Sequence, residues 1–313
     1  MKKDNYLKNG EYKVFQNYHN KDEFIDKALD VTFNGISKIT NQKVANLVRK
    51  NGLKKLHLYF NPDYLPFLQF FLSKSFDFNL RNQIYYTSSY NLDLKKFYID
   101  AKTNYRIIYP YLHARKSTLS RAQYLLLNLN NFDNVDKEIK DSKKKLVKNL
   151  SKNKNKGYDS YFKNLPLSCY GHGPHRDTWF GHTYNANNFW WSITGVNKKS
   201  GLLIFPDVNK QDIRHIEKPA YARENQYLGK PEVIGLNDGD LLVFDPEILH
   251  ATRINTSNDS RVVFSGRINR NKPSFYKESK AQEYKDWFYS EDIKFQKLNK
   301  IHIFLRKNNS LKK

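Results

Sequence analysis

Two imidazoles and one carboxylate stand out by type and spacing. His175 and Asp177 lie in the run Cys169-Tyr-Gly-His-Gly-Pro-His-Arg-Asp-Thr-Trp-Phe-Gly181. On an extended strand, residues i and i+2 share a face, so a His-x-Asp pair aims both side chains at one point. A third donor is His250, the last residue of Asp240-Leu-Leu-Val-Phe-Asp-Pro-Glu-Ile-Leu-His250. Two histidines and a carboxylate can fill one face of an octahedral ferrous ion and leave three positions open. An α-keto acid can occupy two of these through its carboxylate and keto oxygens, leaving one for O₂. Its far carboxylate then needs a fixed planar cation, and a guanidinium fork matches a carboxylate bidentately. Arg261 is the candidate, with the hydroxyl of Thr252 on the face of His250 as a second donor.

The elements that must bring these groups together are short strands. Leu165–Tyr170, Phe189–Gly195, Gly201–Phe205, Asp240–Phe244 and Arg261–Ile268 alternate or run apolar. They are separated by the breakers Asn197-Lys-Lys-Ser-Gly201, Asn237-Asp-Gly-Asp240 and Asn255-Thr-Ser-Asn-Asp259. This spacing predicts an antiparallel sandwich or jelly roll, mainly β with flanking helices. The segment from Asp240 is read as one strand ending at His250. A turn centred between Asn255 and Thr256 then puts His250 directly opposite Arg261 on the next strand. A buried arginine without a carboxylate is costly, so Arg261 is expected to meet either a ligand or an acidic neighbour. Arg267 shares its parity, but six residues at about 3.3 Å each put it roughly 20 Å away, too far to grip the same carboxylate.

Nearby side chains have plainer readings. His172 and His182 are read as pocket-edge or surface residues, and their spacing does not match a zinc hydrolase. His215 sits among charged residues and is read as solvated. Trp179 would line the pocket if the strand continued past Asp177, with core packing as the alternative. Trp190 and Trp191 point to opposite faces, so only one can be internal. Arg106 and Arg115 are read as surface charge, contact with an anionic substrate being the other possibility.

Lys21 to Asn51 carries helical periodicity, with Gly52 as a stop. Lys55–Phe60 is read as a short strand, its His57 a surface or core residue, and Asn61-Pro-Asp opens a helix through Leu72. Tyr105–Tyr111 reads as a strand, and Ser117–Leu129 fits helix or strand equally. The lysine-rich run Lys137 to Lys156 is an exposed, partly helical connector. Ala281, Tyr284, Trp287 and Phe288 suggest an amphipathic helix before a basic tail, Arg306 to Lys313, that frays. The division expected is 1–156 as a helical or mixed N-terminal elaboration, 157–275 as the catalytic core, and 276–313 as C-terminal helices and tail.

With 313 residues, 39% hydrophobic and 15% aromatic, the chain can bury a large core and is not disordered. A single cysteine, Cys169, excludes an internal disulfide framework and fits a reducing compartment. The start Met-Lys-Lys-Asp-Asn-Tyr-Leu-Lys has no apolar core for a signal peptide, and no run is long enough for a membrane span. A cytoplasmic protein, monomeric or weakly dimeric, is expected. The net charge of +23 invites a nucleic-acid partner. Lys, Asn, Ile and Tyr are abundant together, however, as an AT-rich coding sequence gives, and much of the charge lies in the connector. A small-molecule substrate is the preferred reading.

The segment His250-Ala-Thr-Arg-Ile-Asn-Thr-Ser-Asn-Asp-Ser-Arg261 resembles the distal motif of the phytanoyl-CoA dioxygenase-like family of Fe(II)/2-oxoglutarate oxygenases. His250, Thr252, Asn255, Ser257 and Arg261 match in identity and order, as do the proximal His175-x-Asp177 and the strand Gly201-Leu-Leu-Ile-Phe-Pro206. The resemblance spans roughly Leu165 to Arg270. It implies a double-stranded β-helix (cupin-like jelly roll) core, with iron ligands His175, Asp177 and His250. It also implies Fe(II), 2-oxoglutarate and O₂, with succinate and CO₂ released as a substrate is hydroxylated. Retention of Asp177 argues against the related halogenases, where a small residue vacates that position. Pro206-Asp-Val-Asn departs from the family's Pro-Gly-Ser-His, so the following loop differs. Two alternatives stand beside a small-molecule hydroxylase: an oxygenase acting on nucleic acid or another macromolecule, and a cupin-like binding protein without turnover.

Overall fold

One strand buried on both of its faces sets the architecture. The computed structural model describes residues 7, 10–152, 171–208, 211–216, 220–276, 287–290 and 311–312. Its strands are β1 (Tyr12–Phe15), β2 (Tyr98–Asp100), β3 (Asn104–Ile108), β4 (Ala186–Thr194), β5 (Leu202–Ile204) and β6 (Glu232–Ile234). They continue as β7 (Leu241–Phe244), β8 (His250–Thr252), β9 (Arg261–Asn269), β10 (Phe275–Tyr276), β11 (Trp287–Tyr289) and β12 (Leu311–Lys312). A seven-stranded sheet has the order β1-β7-β4-β9-β2-β11, with β3 also paired to β9. A three-stranded sheet has the order β6-β5-β8. All pairings within these two sheets are antiparallel; β10 and β12 form a separate parallel pair.

Every residue of β4 is buried, and its alternation splits the interior in two. Phe189, Trp191 and Ile193 enter the larger core with Leu241, Val243, Val262, Phe264 and Ile268 from β7 and β9. Helices cover this face: α1 (Lys21–Ile39), α2 (Gln42–Asn51), the single turn α3 (Leu56–Tyr59), α4 (Leu65–Ser75) and α5 (Asp77–Tyr86). Phe24 of α1 packs on Trp191 at 5.5 Å, and Phe76 packs on Phe264 at 5.6 Å between ring centroids. Gly266 lets α5 approach, because a methyl there would collide with Cδ1 of Ile84. The opposite face contributes Trp190, Leu242, Phe244 and Val263 to a second cluster with Leu202, Ile204 and Ile234 of the small sheet. The two sheets therefore share a core, and the functional side chains sit at its edge.

Local signals explain the helices. Asn41 caps α2 by accepting from Val44 N at 3.0 Å, and Gly52 ends it at φ 81°. Asn61 accepts from Asp63 N at 2.9 Å, and Pro66 lies in the first turn of α4, where its missing N–H costs nothing. Two single turns, α6 (Tyr111–Ala114) and α7 (Arg121–Tyr124), precede the lysine-rich α8 (Val135–Lys152). No helix among the described residues is long and apolar enough to cross a membrane.

Several expectations need correction. Where Lys55–Phe60 is expected as a strand, Leu56–Tyr59 is a helical turn and only Phe60 is extended, since a short apolar run does not distinguish the two. Asp240–His250 is not one strand: Asp245-Pro-Glu turns the chain, and His250 opens β8. That strand pairs with β5, His250 opposite Ile204 and Thr252 opposite Leu202, while Arg261 lies opposite Ile108 on β3 in the other sheet. The chain between Thr252 and Arg261 crosses from one sheet to the other, so His250 and Arg261 are not hairpin partners. Trp287–Tyr289, expected as helix, is the edge strand β11, and the strand expected at Leu165–Tyr170 lies outside the described residues.

Candidate metal centre

His175 and His250 reach one point because their backbones pair. Each donates its N–H to the other's carbonyl at 2.9 Å, an isolated antiparallel bridge that sets the rings 4.2 Å apart. Nδ1 of His175 lies 2.7 Å from the Gly173 carbonyl, and Nδ1 of His250 lies 2.8 Å from the Ile248 carbonyl. A carbonyl can only accept, so each Nδ1 carries the proton and each Nε2 presents a lone pair. Arg176 is extended at φ −102°, ψ 141°, and Asp177 then opens a short 3-10 turn to Phe180, its N–H bonded to the Pro246 carbonyl at 3.0 Å. Oδ1 of Asp177 faces His175 Nε2 at 3.5 Å and His250 Nε2 at 3.7 Å. The three donor atoms lie within 4.8 Å of one another and all three residues are buried. Three converging lone pairs in a buried place repel one another, and a cation among them relieves that repulsion.

The other carboxylate oxygen is fully engaged. Oδ2 of Asp177 accepts from Arg267 Nη2 at 2.8 Å, Arg267 Nε at 3.2 Å and Asn188 Nδ2 at 3.0 Å. Asn188 and Arg267 are cross-strand partners on β4 and β9, so the large sheet delivers both to the same oxygen. Burial works to raise the Asp177 carboxyl. The Arg267 guanidinium on the same carboxylate outweighs it and holds the group well below the usual carboxylate range. Burial, reinforced by His175, pushes His250 down to about 4, which keeps its imidazole neutral and able to ligate.

A cavity of about 490 Å³ opens beside these donors, lined by Asp177, both histidines, Thr252, Trp190, Arg261 and Arg267 among others. Arg261 is 1% exposed. Its Nη1 donates to the Ser200 carbonyl at 2.6 Å and its guanidinium lies 5.7 Å from the Trp190 ring centroid. Nε has no hydrogen-bond partner, and no carboxylate lies within ion-pair distance among the described residues. Burial, with the charge of Arg106 added, pushes Arg261 down to about 9. Thr252 is oriented by its own backbone: Oγ1 accepts from His172 N at 3.1 Å, and Thr252 N donates to the His172 carbonyl at 2.9 Å. Gly171 permits this, because a Cβ there would stand 2.8 Å from Thr252 Cβ.

The sequence-derived residues therefore converge, with exceptions. Trp179 does not belong to the lining. The 3-10 turn after Asp177 rotates it outward to stack on His215, 4.4 Å away at 8° between ring planes. His172 and His182 do line the cavity, His172 with Nδ1 3.0 Å from the Tyr221 hydroxyl. Trp190 faces the cavity while Trp191 is buried under the helices. Arg106, read as surface charge, lines the cavity as well. Arg267 and Asn188 were not foreseen as partners of Asp177, although the parity of Arg267 with Arg261 pointed to the same face.

Residues 115–263 match the family model described as phytanoyl-CoA dioxygenase. No curated protein is matched. Among solved structures, the non-haem monooxygenase ThoJ is similar at 10% identity over 82% of this chain and 73% of its own, with a TM-score of 0.42. The non-haem α-ketoglutarate-dependent epimerase SnoN of nogalamycin biosynthesis is similar at 12% identity over 60% and 52%, TM-score 0.33. HygX from Streptomyces hygroscopicus, solved with nickel, 2-oxoglutarate and hygromycin B, is similar at 16% identity over 34% and 51%, TM-score 0.25. The chain thus spans about half the length of the last two.

Proposed function

We propose that this chain, whose residues 115–263 match the phytanoyl-CoA dioxygenase family model, is an iron(II)- and 2-oxoglutarate-dependent dioxygenase that hydroxylates a small molecule. The carrying observation is that one cavity holds both the three converging donors and a buried guanidinium with no carboxylate partner among the described residues. His175, Asp177 and His250 would hold the iron. Arg261 would take the far carboxylate of 2-oxoglutarate, with the Thr252 hydroxyl as a second donor. Bound iron and 2-oxoglutarate supply the oxidising power for hydroxylation by O₂, with release of succinate and CO₂.

The chain's own residues do the positioning. The backbone bridge fixes the two Nε2 atoms, and Arg267 with Asn188 occupies one Asp177 oxygen so that the other faces the ion. Asp177 fills the place a halide would need, which favours hydroxylation. The catalytic core is taken as a double-stranded β-helix over 157–275, supported by two antiparallel sheets sharing one apolar cluster. Strands β1, β2 and β3 of the 1–156 elaboration extend its large sheet, and 276–313 is the C-terminal extension. A small molecule is preferred to nucleic acid because a single lysine, Lys102, lines the cavity among the described residues. A binding protein without turnover would need neither Arg261 nor Thr252. A cytoplasmic location is inferred with the single Cys169, which fits a reducing compartment, as its support, and a monomer or weak dimer is proposed with it.

Anaerobic titration of the purified protein with Fe(II) and 2-oxoglutarate tests this reading through the weak visible charge-transfer band of the chelate. Wild type should develop the band, His175→Ala should not, and Arg261→Ala should need far more 2-oxoglutarate. A wild type without the band, or Arg261→Ala with undiminished affinity while Arg267→Ala loses it, would overturn the assignment.

A further inference from the structure

The guanidinium that grips the metal carboxylate is itself held from a second side. Arg267 places Nη2 and Nε on Asp177 Oδ2. Its Nη1 makes no hydrogen bond and stands 3.8 Å from Oδ2 of Asp100, the last residue of β2. The pairing of β2 with β9 sets Ile99 opposite Ile268, and the same register carries Asp100 to Arg267. Ile99 and Ile268 face the helical core, so by alternation Asp100 and Arg267 share the opposite face. Arg267 is in turn opposite Asn188 on β4. Asp100, Arg267 and Asn188 thus form one polar line across three neighbouring strands, and the latter two converge on Asp177 Oδ2.

The surroundings of Asp100 fit a backstop for that line. Asp100 is 1% exposed, so water does little to screen its charge. Oδ1 accepts from Lys102 N at 2.8 Å, a local turn that fixes the carboxylate and leaves Oδ2 as the oxygen facing Nη1. Arg267 and Asn188 line the cavity, whereas Asp100 stands behind its wall. Its reach to the metal donors therefore runs through Arg267. A long side chain tied at one end of its fork keeps rotamer freedom, and ordering it has an entropic cost. A fixed anion beyond Nη1 opposes that freedom and keeps Nη2 and Nε on Asp177. Asp100 and Arg267 both lie outside residues 115–263, the part that matches the family model.

We propose that Asp100 is a positioning residue of the metal centre. It holds Arg267 in the orientation that occupies one oxygen of Asp177 and leaves the other for the ion. The strand β2 of the N-terminal elaboration thus completes a centre whose three ligands come from the family-matched part. The proposal rests on the metal site of the reading above, not on its cosubstrate or its reaction.

The test is a double-mutant cycle on Co(II) affinity, read anaerobically by visible absorption in wild type, Asp100→Asn, Arg267→Gln and the double variant. Asparagine keeps the shape and an oxygen for Lys102 N, so the change removes only the charge facing Nη1. Asp100→Asn should bind Co(II) about tenfold more weakly, the lower end of what a partner that orients a ligand contributes. In the Arg267→Gln protein the same change should shift the affinity by less than about twofold, because its route is gone. Asp100→Glu, which restores the charge, should recover part of the loss. Ile99→Val, which trims the neighbouring core side chain, should lower the urea midpoint and leave Co(II) affinity unchanged. Where Arg267→Gln does not fold, Arg267→Met takes its place in the cycle.

The proposal fails if Asp100→Asn binds Co(II) as wild type does, or if its effect adds in full to that of Arg267→Gln. It fails equally if Asp100→Asn does not fold while the Arg267 variant does, since a residue acting through Arg267 cannot matter more than Arg267 itself. A matching loss of Co(II) in Ile99→Val would also overturn it. Titration of wild type with Fe(II) and 2-oxoglutarate separates the two readings: a missing charge-transfer band sinks the oxygenase reading, while the Co(II) cycle decides this one.

Discussion

Arg267→Gln should uncouple the carboxylate from the rest of the centre. The guanidinium supplies two of the three donors on Asp177 Oδ2, at 2.8 and 3.2 Å, and the side chains are only 11% and 9% exposed. Removing one member of a buried ion pair typically costs about 3–5 kcal/mol, because the other charge stays desolvated. The surviving Asn188 hydrogen bond, at 3.0 Å, recovers part of this, so a loss of about 3 kcal/mol is expected in the metal-free protein at neutral pH. Loss of a partner that orients a ligand generally weakens metal binding by about 10–100-fold. The pH dependence has a definite sign. Asp177 is held below its unfolded value of about 3.9, so its stabilisation is present above that value and is lost as pH falls through the folded one. Without Arg267, burial acts with less opposition, the carboxyl rises, and protons displace the metal at higher pH than in wild type. Anaerobic Co(II) titration followed by its visible absorption, at pH 7.5 and 5.5, reads both effects, with circular dichroism confirming the fold. Arg267→Lys, which keeps the charge but not the fork, should fall between. Equal Co(II) affinity and an unchanged pH midpoint in a folded Arg267→Gln protein would refute the role given to this side chain.

Two further outcomes are expected. Gly266→Ala should lower stability by about 1–3 kcal/mol, since its methyl must displace Ile84 of α5 or the strand itself; an unchanged urea midpoint would show that α5 can move aside freely. His57 is pushed down to about 4 by burial, then by His113 and Lys55. Its unfolded value is about 6.5, so stability should be full above that and decline as pH falls toward 4. His57→Gln should flatten that decline in denaturation curves taken across the range, and an identical slope would exclude His57 as a cause.

Much of the centre was readable because strands advertise their faces. The alternation in Phe189–Thr194 and in Arg261–Ile268 is visible without coordinates, and it is the alternation that turns Arg261 and Arg267 to one cavity. What alternation does not encode is the partner strand. Proximity along the chain favoured a hairpin between His250 and Arg261, yet β8 adds to the small sheet and β9 to the large one, so the two residues approach from opposite walls. Pro246 was the neglected signal, since a proline after Asp245 ends a strand. Trp179 was misplaced for a related reason: a strand reading was carried past Asp177 into what is a 3-10 turn. The distance along β9 keeps Arg267 from the carboxylate assigned to Arg261 but has no bearing on Asp177, which Arg267 grips instead. Arg106 could be read as a cavity residue only once β3 was known to lie beside β9, a long-range fact that no local pattern contains.

The reciprocal backbone bridge between His175 and His250 has a practical consequence. Because main-chain hydrogen bonds hold the two imidazoles in register, the nest for an ion exists before any ion arrives, and little ordering is needed on binding. A ready-made nitrogen and oxygen nest takes first-row metals in the Irving–Williams order, with copper, nickel and zinc ahead of iron. The fold therefore exerts little choice of its own, and which metal fills the nest is set by supply. On the proposed function, protein prepared in ordinary buffers will carry inert substitutes, and full turnover will require stripping them with a chelator and reloading with ferrous ion under exclusion of air.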